Sequence, residues 1–466
     1  MNFSDIISNI TTALFSPDNQ LIAVTNGTKI IIKSLPHLDN IQVFSFPEQV
    51  SHIEFSPDSK HILVVMTKKN MVEARSISEE DWLCKIEDNL AGVVFARWTP
   101  DSRHIITFSD FQLKASIYSL VDKNIYYIKN PKFPDKGLTF SNDGKFMALA
   151  ERREAKDYVG IYFCGNWKLL NHFQTDTYDL NDIMWSPDNN VLIVWETVLE
   201  YKMLIYCPAT GILAKYQPYQ SALGIKTVNF NKTAEFLSIG SYDEKVRILN
   251  CLTWKLIVEL EHQQTIFEGS NVNVFKEEEY VEATFKNPKK SSQYMMKDLA
   301  GNFKIPSMKV ANDKANPPLG VGLMEWSYDG QFIATRNDNM PNTVWIWEIQ
   351  SLALKVVLIH LQPVKNFSWS PKKNDLAICT GTGKIFFWSE EGASLCDVPY
   401  EGRNFNALNL TWSLNGNFLL LFDKNECLIV FPPGDKTEEN SMDLTNVNSI
   451  YSKKLKSVSK TTSDKY

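Results

Sequence analysis

The chain has 466 residues, of which 44% are hydrophobic and 22% are charged, and these fractions are those of an ordinary globular protein. Its longest apolar runs, such as Phe418–Phe422, are far shorter than the ~20 residues that a membrane-spanning helix needs, so we expect no membrane association. With 48 Lys and Arg against 54 Asp and Glu, the net charge is −6, which argues against a broad nucleic-acid-binding surface.

A turn motif recurs along the chain, in which an aromatic residue is followed by Ser/Thr-Pro-Asp or a close variant. Five clear copies begin at Phe15, Phe55, Trp98, Phe140 and Trp185. Four weaker copies begin at Phe230, Trp326, Trp369 and Trp412. Neighbouring copies lie 40 to 45 residues apart, except for one gap of 96 residues after Phe230. A regular period of this length indicates a repeat architecture.

Each copy of the motif predicts a β-hairpin. In Phe55-Ser56-Pro57-Asp58, serine suits the first position of a type I turn, and proline fixes φ at the second. Apolar, β-branched strands precede and follow the turn, and a third strand often follows a second polar turn. Short strands at this period are typical of β-propeller blades. The recurring aromatic residue is expected to pack between neighbouring sheets, because one small sheet cannot bury both of its faces.

We therefore predict an all-β fold, a β-propeller over residues 1–433 with a single ring of about nine blades. The repeats resemble those of the WD-repeat superfamily, but the Gly-His dipeptide is absent and the closing Trp-Asp becomes Trp347-Glu348 or Trp388-Ser389. Blade cohesion is then expected to come mainly from apolar packing, without a repeated His–Ser/Thr–Asp–Trp hydrogen-bond chain. An eight-bladed ring and two smaller unequal rings stay open as alternatives.

Two segments depart from the repeat. Residues 262–317 form an insertion that is polar and contains prolines, which predicts a mobile loop on the surface of the ring, either merely tolerated or used to dock a partner. Residues 434–466 are rich in Ser, Thr, Lys and Asn and are expected to form a disordered tail.

The sequence offers no recognisable catalytic or metal-binding set, so we predict a protein that is not an enzyme and has no cofactor. The seven cysteines form no C-x-x-C pair, which speaks against a zinc ribbon and favours a reducing compartment such as the cytoplasm. His61 and His104 occupy the same repeat position, which favours a structural role. The run Thr380–Lys384 lacks the phosphate-loop spacing and is predicted to be a hairpin turn.

A narrower resemblance appears in residues 315–347, which contain Ala-Thr-Arg-Asn-Asp-Asn (334–339) ahead of a Trp-x-Trp strand. This stretch, together with the overall layout of the repeats, resembles the centrosomal WD-repeat protein family that is encoded antisense to the p73 tumour-protein gene. The resemblance implies a non-enzymatic scaffold at centrosomes, spindle poles and basal bodies. It also implies a coiled-coil anchoring protein as partner and, in fungi, a minus-end-directed kinesin of the fourteenth class.

Within this stretch, Arg336, Asn337 and Asp338 are the candidate partner-binding residues, because the run is polar and is expected in a turn. The alternative is that the run only caps the turn between two strands. A second function class also stays open, that of a translation-initiation-type propeller which binds ribosomes. The acidic composition and the lack of an evident RNA-binding extension count against this class.

Overall fold

The computed structural model describes residues 1–282, 289–297, 301–309, 317–399 and 405–432. Within these ranges nine antiparallel sheets follow one another along the chain and form a β-propeller. The prediction of a nine-bladed ring is confirmed, and the eight-bladed and two-ring alternatives are excluded. We number the blades 1 to 9 in the order of their first strands. The predicted tail lies outside the described residues.

Strands with the same position in each blade share a role in the ring. The first strands are Thr12–Phe15, His52–Phe55, Phe95–Trp98, Leu138–Phe140, Leu180–Trp185, Ile225–Phe230, Val321–Trp326, Asn366–Trp369 and Asn409–Trp412. The second strands are Leu21–Asn26, His61–Met66, His104–Phe108, Phe146–Arg153, Leu192–Glu196, Phe236–Ser241, Phe332–Asn337, Leu376–Cys379 and Leu419–Phe422. The third strands are Lys29–Ser34, Met71–Ser76, Lys114–Ser119, Lys156–Phe163, Met203–Cys207, Lys245–Asn250, Thr343–Glu348, Lys384–Ser389 and Glu426–Phe431.

The fourth strands lie at the outer edge of every blade except blade 7, and outside that blade they are largely exposed. They are Asn40–Ser45, Leu83–Glu87, Ile125–Lys129, Lys168–Gln174, Gly211–Tyr216, Leu256–Glu261, Ala353–Ile359, Gly392–Asp397 and, for blade 9, Asn2–Phe3. The described ranges contain no α-helix, only two short 3₁₀ segments, Thr67–Lys69 and Asp110–Gln112. Since second and fourth strands run in the same direction, the turn after the second strand and the loop after the fourth lie on one face. We call this face the loop face. The opposite face carries the Ser-Pro-Asp turns between the first and second strands, and we call it the turn face.

The ring is closed by pairing between the two ends of the described chain. Asn2–Phe3 and Ile7–Ser8 both pair with the third strand of blade 9, Glu426–Phe431. An apolar cluster that includes Ile22 and Ile429 then joins blade 9 to blade 1. Closure leaves the first and last blades with neighbours on both sides, as every other blade has.

The aromatic residue of each motif packs between blades, as the sequence predicts. Trp98 of blade 3 is buried in a cluster with Leu63 and Val65 of blade 2. Its indole N–H also donates to the backbone carbonyl of Glu54, at 3.3 Å, in the first strand of blade 2. Trp326, Trp369 and Trp412 make the same cross-blade hydrogen bond to first-strand carbonyls. Each of these tryptophans therefore joins two blades by both apolar contact and a polar bond.

The Ser-Pro-Asp motif forms the predicted β-turn. In blade 2 the N–H of Ser59 donates to the carbonyl of Ser56, at 2.8 Å. The Ser56 hydroxyl donates to Asp58 at 2.6 Å and accepts from the N–H of His61 at 2.9 Å. Because the side chains satisfy the backbone groups at the turn, the second strand begins six or seven residues after the aromatic residue in every repeat.

Apolar packing joins the blades, in agreement with the expectation from the degenerate repeat. The described residues form nine large apolar clusters, and each lies between one pair of neighbouring blades. In the His–Ser/Thr–Asp–Trp hydrogen-bond chain, the hydroxyl would come from one position of the second strand. That position is aliphatic in seven blades, where it is Val24, Val64, Leu149, Val194, Ile239, Ile378 or Leu421. It is threonine in blades 3 and 7, at Thr107 and Thr335.

The described part of the insertion differs from the mobile loop that the sequence predicts. Asn273–Glu282 pairs in parallel with the fourth strand of blade 7, and Lys289–Lys297 pairs antiparallel with Asn273–Glu282, so that this blade has six strands. A second small sheet joins Thr265–Ile266 to Phe303–Lys304. Polar composition fits this ribbon as well as a loop, because a strand pair added at the outer edge faces solvent on much of its surface.

Candidate functional site

The run Arg336-Asn337-Asp338 lies on the loop face, where the second strand of blade 7 ends and its turn begins. Arg336 donates from Nη1 to the carbonyl of Val364, at 2.7 Å, on the connection into blade 8. Its Nη2 donates to Asp338 Oδ1 at 2.8 Å. The arginine thus holds its own turn and the start of the next blade together.

Asn337 is completely buried and faces blade 6. Its Nδ2 donates to Glu244 Oε2 at 2.8 Å, and Asn339 Nδ2 donates to the same oxygen at 2.7 Å. Glu244 lies in the turn after the second strand of blade 6. One carboxylate therefore accepts hydrogen bonds from the Nδ2 groups of two buried asparagines across the boundary between blades.

Asp338 completes the contact with blade 6. Its carboxylate forms an ion pair with Lys226, whose Nζ also donates to the carbonyl of Leu319, at 2.9 Å. Gly322 lies directly beneath, and a Cβ added there would be only 2.4 Å from Asp338 Oδ2. The three predicted site residues are thus brought together, and each has an intramolecular partner. Their role in binding a partner protein stays a prediction. Of the three, only Arg336 and Asp338 have exposed side-chain surface, with 18% and 16% of the side chain accessible to solvent.

A buried hydrogen-bond chain stands beside this cluster. Trp347 Nε1 donates to the hydroxyl of Thr335 at 2.9 Å, and His262 Nε2 lies 2.8 Å from the same hydroxyl. His262 Nδ1 lies 2.7 Å from the carbonyl of Glu244, which can only accept, so Nδ1 carries the proton and Nε2 accepts from Thr335. Burial lowers the pKa of His262 to about 4, which keeps the imidazole neutral, as the hydrogen-bond chain from Trp347 to Glu244 requires.

The inserted ribbon supplies a similar contact to blade 8. His360 corresponds to His262 one blade further on, but the matching second-strand residue of blade 8 is Ile378, which has no hydroxyl. The phenol of Tyr294, in the ribbon, hydrogen bonds to His360 Nε2 instead. The ribbon also contacts blade 8 through the Lys384 ammonium, which donates to Ser292. The insertion is therefore integrated into the packing of blades 7 and 8.

Two first-strand carboxylates bridge neighbouring blades near the axis. Glu325 accepts from the Ser368 hydroxyl at 3.0 Å and from the N–H of Trp369 at 3.3 Å. Glu54 occupies the same place in blade 2 and accepts from the N–H of Trp98 at 2.8 Å. Burial raises the pKa of Glu325 to about 7, against the effect of those hydrogen bonds. Burial also raises the pKa of Glu54, where the Trp98 bond and Arg97 act in the opposite direction.

The described ranges contain no group of three or more His, Cys, Asp or Glu side chains that could hold a metal ion. His104 has the structural role predicted for it, since its Nδ1 lies 2.8 Å from Asp101 Oδ2 at the turn. Residues 380–383 connect two paired strands of blade 8, as predicted for a hairpin turn. No helix in the described part of the chain has the length and apolar character to span a membrane.

The loop face also carries exposed apolar side chains that sequence reasoning missed. The four most exposed are Leu90, Phe111, Tyr178 and Leu199. All four lie in turns or loops outside the core, so burial does not stabilise their side chains. Their signal in the sequence is a large apolar residue within an otherwise polar loop or turn.

Comparison with known proteins gives relatives along nearly the whole chain, although no protein-family model matches it. The chain is 41% identical over 445 residues to the WD repeat-containing protein WRAP73 of Mus musculus, covering 92% of this chain and 96% of the mouse protein. It is 22% identical over 439 residues to an uncharacterized WD repeat-containing protein of Schizosaccharomyces pombe, covering 88% of each. The crystal structure of the C-terminal WD40 domain of Sif2 matches with a TM-score of 0.52 at 12% identity, over 93% of this chain and 98% of that one. This last likeness is one of fold alone.

Proposed function

Because the chain belongs to the WD-repeat protein family that includes mouse WRAP73, we propose that it is a non-enzymatic scaffold of the centrosome, spindle pole or basal body. In this role it binds a coiled-coil anchoring protein and helps to anchor microtubule minus ends. Spindle assembly and cilium formation depend on that anchoring. In fungi the assembly includes a minus-end-directed kinesin of the fourteenth class. The protein acts in the cytoplasm, on the cytoskeleton.

The observation that carries this proposal is the 41% identity to the mouse protein over 92% of the chain. A match of this extent includes the Ala-Thr-Arg-Asn-Asp-Asn run on which the resemblance to the centrosomal family rests. The physical form of the molecule fits a scaffold. Apolar clusters and cross-blade hydrogen bonds hold the ring, while its turns present side chains at fixed positions on two faces.

The proposal is tested by affinity purification of the tagged chain from dividing cells, followed by mass spectrometry and by imaging of the tag in mitosis. We expect recovery of a coiled-coil protein together with spindle-pole components, and a signal at the two poles. The same tag on an unrelated propeller is the control for non-specific recovery. Recovery of ribosomal subunits without pole proteins would contradict the proposal and favour the translation-type alternative.

A further inference from the structure

Three loops meet on the loop face at the boundary between blades 5 and 6. They are residues 175–179, which enter blade 5, residues 197–202, which follow its second strand, and residues 217–224, which enter blade 6. The N–H of Thr197 donates to the carbonyl of Asp179 at 2.9 Å, and the N–H of Gly224 donates to the carbonyl of Val198 at 2.7 Å. The three loops therefore form one continuous surface.

Each of these loops exposes one large apolar side chain. Tyr178, Leu199 and Leu223 are 79%, 80% and 41% exposed. A single exposed apolar residue is common on a protein surface and needs no explanation. Three such residues on loops that contact one another concentrate apolar surface in one place.

The same three loops are acidic. They contain Asp176, Asp179 and Glu200, and Lys202 is their only basic residue. Asp176 and Asp179 lie on either side of Tyr178 in the chain, and their side chains are 65% and 48% exposed. We call the surface formed by the three apolar side chains and these three carboxylates the blade 5–6 patch.

Two cations close to the patch are buried. The side chain of Lys202 is 4% exposed, and its ammonium group lies 5.3 Å from the centre of the Tyr178 ring and 3.7 Å from Asp176 Oδ2. Lys132, in the loop that enters blade 4, is 5% exposed and donates to Asp179 Oδ1 at 2.8 Å. A ligand that approaches the loop face here therefore meets carboxylate oxygens before it meets either ammonium group.

Two more exposed bases lie at the margin of the patch and leave part of each aspartate free. Arg152, at the end of the second strand of blade 4, donates to Asp179 Oδ1 at 2.7 Å. Lys215, in the outer strand of blade 5, donates to Asp176 Oδ2 at 3.3 Å. Within the described ranges no hydrogen bond reaches Asp179 Oδ2 or Asp176 Oδ1, although every carboxylate oxygen can accept one. Both aspartates can therefore accept from a cationic side chain of a partner.

Buried groups hold the patch in place. Glu196 accepts from the N–H of Tyr178 at 2.6 Å and from the N–H of Asp179 at 2.9 Å. Arg247 is fully buried and donates to the phenol oxygen of Tyr219, in the loop that enters blade 6, at 2.8 Å. Surfaces that are already ordered lose less conformational entropy when they bind. Binding at the patch therefore requires little further ordering of these loops.

We propose that the blade 5–6 patch docks a basic amphipathic helix of a partner protein. The apolar stripe of the helix covers Tyr178, Leu199 and Leu223, and lysines or arginines beside the stripe donate to Asp176 and Asp179. A helix presents apolar residues at i, i+3, i+4 and i+7 with charged residues beside them, which matches an apolar surface flanked by carboxylates. An added β-strand does not suit this surface, because the loop face presents the ends of strands and no open sheet edge.

This inference rests on the proposed function as a partner-binding scaffold and adds the binding face and the chemistry of the partner. The test places the photo-crosslinking residue p-benzoylphenylalanine at position 199 or 223 of the full chain in dividing cells. The control places it at position 252, because Leu252 is 90% exposed on the turn face. We expect positions 199 and 223 to crosslink to the same basic amphipathic segment, and position 252 not to crosslink to it.

The crosslinked segment is then synthesised, and its binding to purified full-length variants is measured by fluorescence anisotropy. We expect Leu199→Ala and Asp176→Asn/Asp179→Asn each to weaken binding about tenfold. The second variant should also make binding less dependent on salt, because it removes charges that salt screens. The matched control is Glu80→Gln/Asp81→Asn, which removes two exposed carboxylates from the turn face and should leave binding unchanged.

Thermal unfolding of each variant shows that a loss of binding is not a loss of the fold. Asp179 contacts the buried Lys132, so its substitution is the one that can lower stability. Leu199 is exposed, and Leu199→Ala should unfold at the temperature of the wild type. If folded Leu199→Ala binds the segment as tightly as the wild type does, the blade 5–6 patch is not the docking site.

The remaining outcomes separate the binding face from the function. Pole proteins that stay bound to Asp176→Asn/Asp179→Asn/Leu199→Ala would overturn the docking face and leave the scaffold proposal intact. A basic amphipathic segment from a protein absent from the spindle pole would support the face and contradict the centrosomal function. An acidic segment, a segment without an apolar stripe, or recovery of pole proteins with no crosslink at position 199 or 223 would overturn the inference.

Discussion

Blades 2 and 7 are built on the same repeat, yet they are held to their neighbours differently. Blade 2 has Val64 where blade 7 has Thr335, and it packs against blade 3 through an apolar cluster that includes Leu63 and Trp98. Blade 7 has a comparable apolar cluster and, in addition, polar contacts between side chains to blade 6 and the segment that follows it, through Asn337, Asp338 and Thr335. The hydrogen bonds that join blades 2 and 3 at Glu54 and Trp98 each involve a backbone group instead.

The difference follows the connectivity of the chain. Blades 2 and 3 are joined by a loop of seven residues, 88–94, which by itself keeps the two sheets adjacent. Between the last strand of blade 6 and the first strand of blade 7 the chain inserts about 50 additional residues. A longer connection constrains its ends less, so closing it costs more entropy. We infer that buried polar contacts at this boundary fix the position of blade 7 where the chain does not.

The largest expected effect is at the carboxylate that joins blades 6 and 7. Glu244→Ala leaves the buried amides of Asn337 and Asn339 without their acceptor, at ~1–3 kcal/mol for each, and we expect a loss of about 4 kcal/mol in the free energy of unfolding. Urea denaturation followed by tryptophan fluorescence measures it. The control is Glu261→Ala, because Glu261 is an exposed partner of Lys245, and its loss is expected to stay below about 1 kcal/mol. Equal losses would mean that the boundary does not depend on its polar contacts.

The second prediction concerns pH. The pKa of Glu325 in the folded protein is about 7, above the ordinary 4.5, so the folded state binds this proton more tightly than the unfolded state. Its contribution to stability is therefore neutral below pH 4.5 and becomes increasingly unfavourable between pH 4.5 and 7. The full cost above pH 7 is about 3 kcal/mol at ~1.4 kcal/mol per unit.

Glu325→Gln removes this titration, so the stability of the variant relative to wild type should rise by about 3 kcal/mol between pH 4.5 and pH 8. The difference in stability between variant and wild type at each pH cancels the contributions of other titrating groups. One such group is His262, whose lowered pKa makes the folded protein lose stability as the pH falls from 6.5 towards 4. Glu54→Gln, at the same position of blade 2, should shift stability in the same direction. A difference that does not change with pH would show that Glu325 stays ionised.

The third prediction tests the hydroxyl that distinguishes the two blades. Thr335→Val installs the residue that blade 2 carries at this position, but it leaves Trp347 Nε1–H without an acceptor and His262 Nε2 without a donor. We expect a loss of about 2 kcal/mol. Thr335→Ser keeps the hydroxyl and should lose less. If the Thr335→Val variant is as stable as the wild type, the hydrogen-bond chain contributes no stability beyond the apolar packing that blade 2 also has.

The sequence allowed the number of blades to be predicted because turn chemistry is local. Ser56, Pro57 and Asp58 specify their turn without reference to any distant residue. The aromatic residue before them packs between neighbouring blades in each repeat. The role of Asn337 could not be predicted in this way. Its acceptor, Glu244, is 93 residues away, and a buried asparagine and an exposed one look the same in a polar run.

Two other features were missed for physical reasons of the same kind. The polar composition of residues 273–297 suits an exposed ribbon as well as a loop, and only the pairing with the fourth strand of blade 7 decides between them. Phe111 and Leu199 each look like part of a nearby strand in the sequence, and their exposure becomes evident only when the strand ends are known. Local patterns therefore predict turns and strands, whereas contacts between repeats require the assembled ring.

The smallest expected effect lies on the turn face between blades 2 and 3. Ser102 has φ 58° and accepts the N–H of Asp58, from the preceding blade, at 3.0 Å. Ser102→Ala removes this acceptor at an exposed site, and we expect a loss of about 1 kcal/mol. Asn189 has a similar φ, 62°, and its side-chain oxygen accepts the N–H of Asn142 across another boundary. Ser102→Asn should therefore retain the bond and the stability, since asparagine tolerates this backbone and carries an acceptor. A loss for asparagine as large as that for alanine would show that a side-chain acceptor at this position does not stabilise the boundary, which would sharpen the contrast with blade 7.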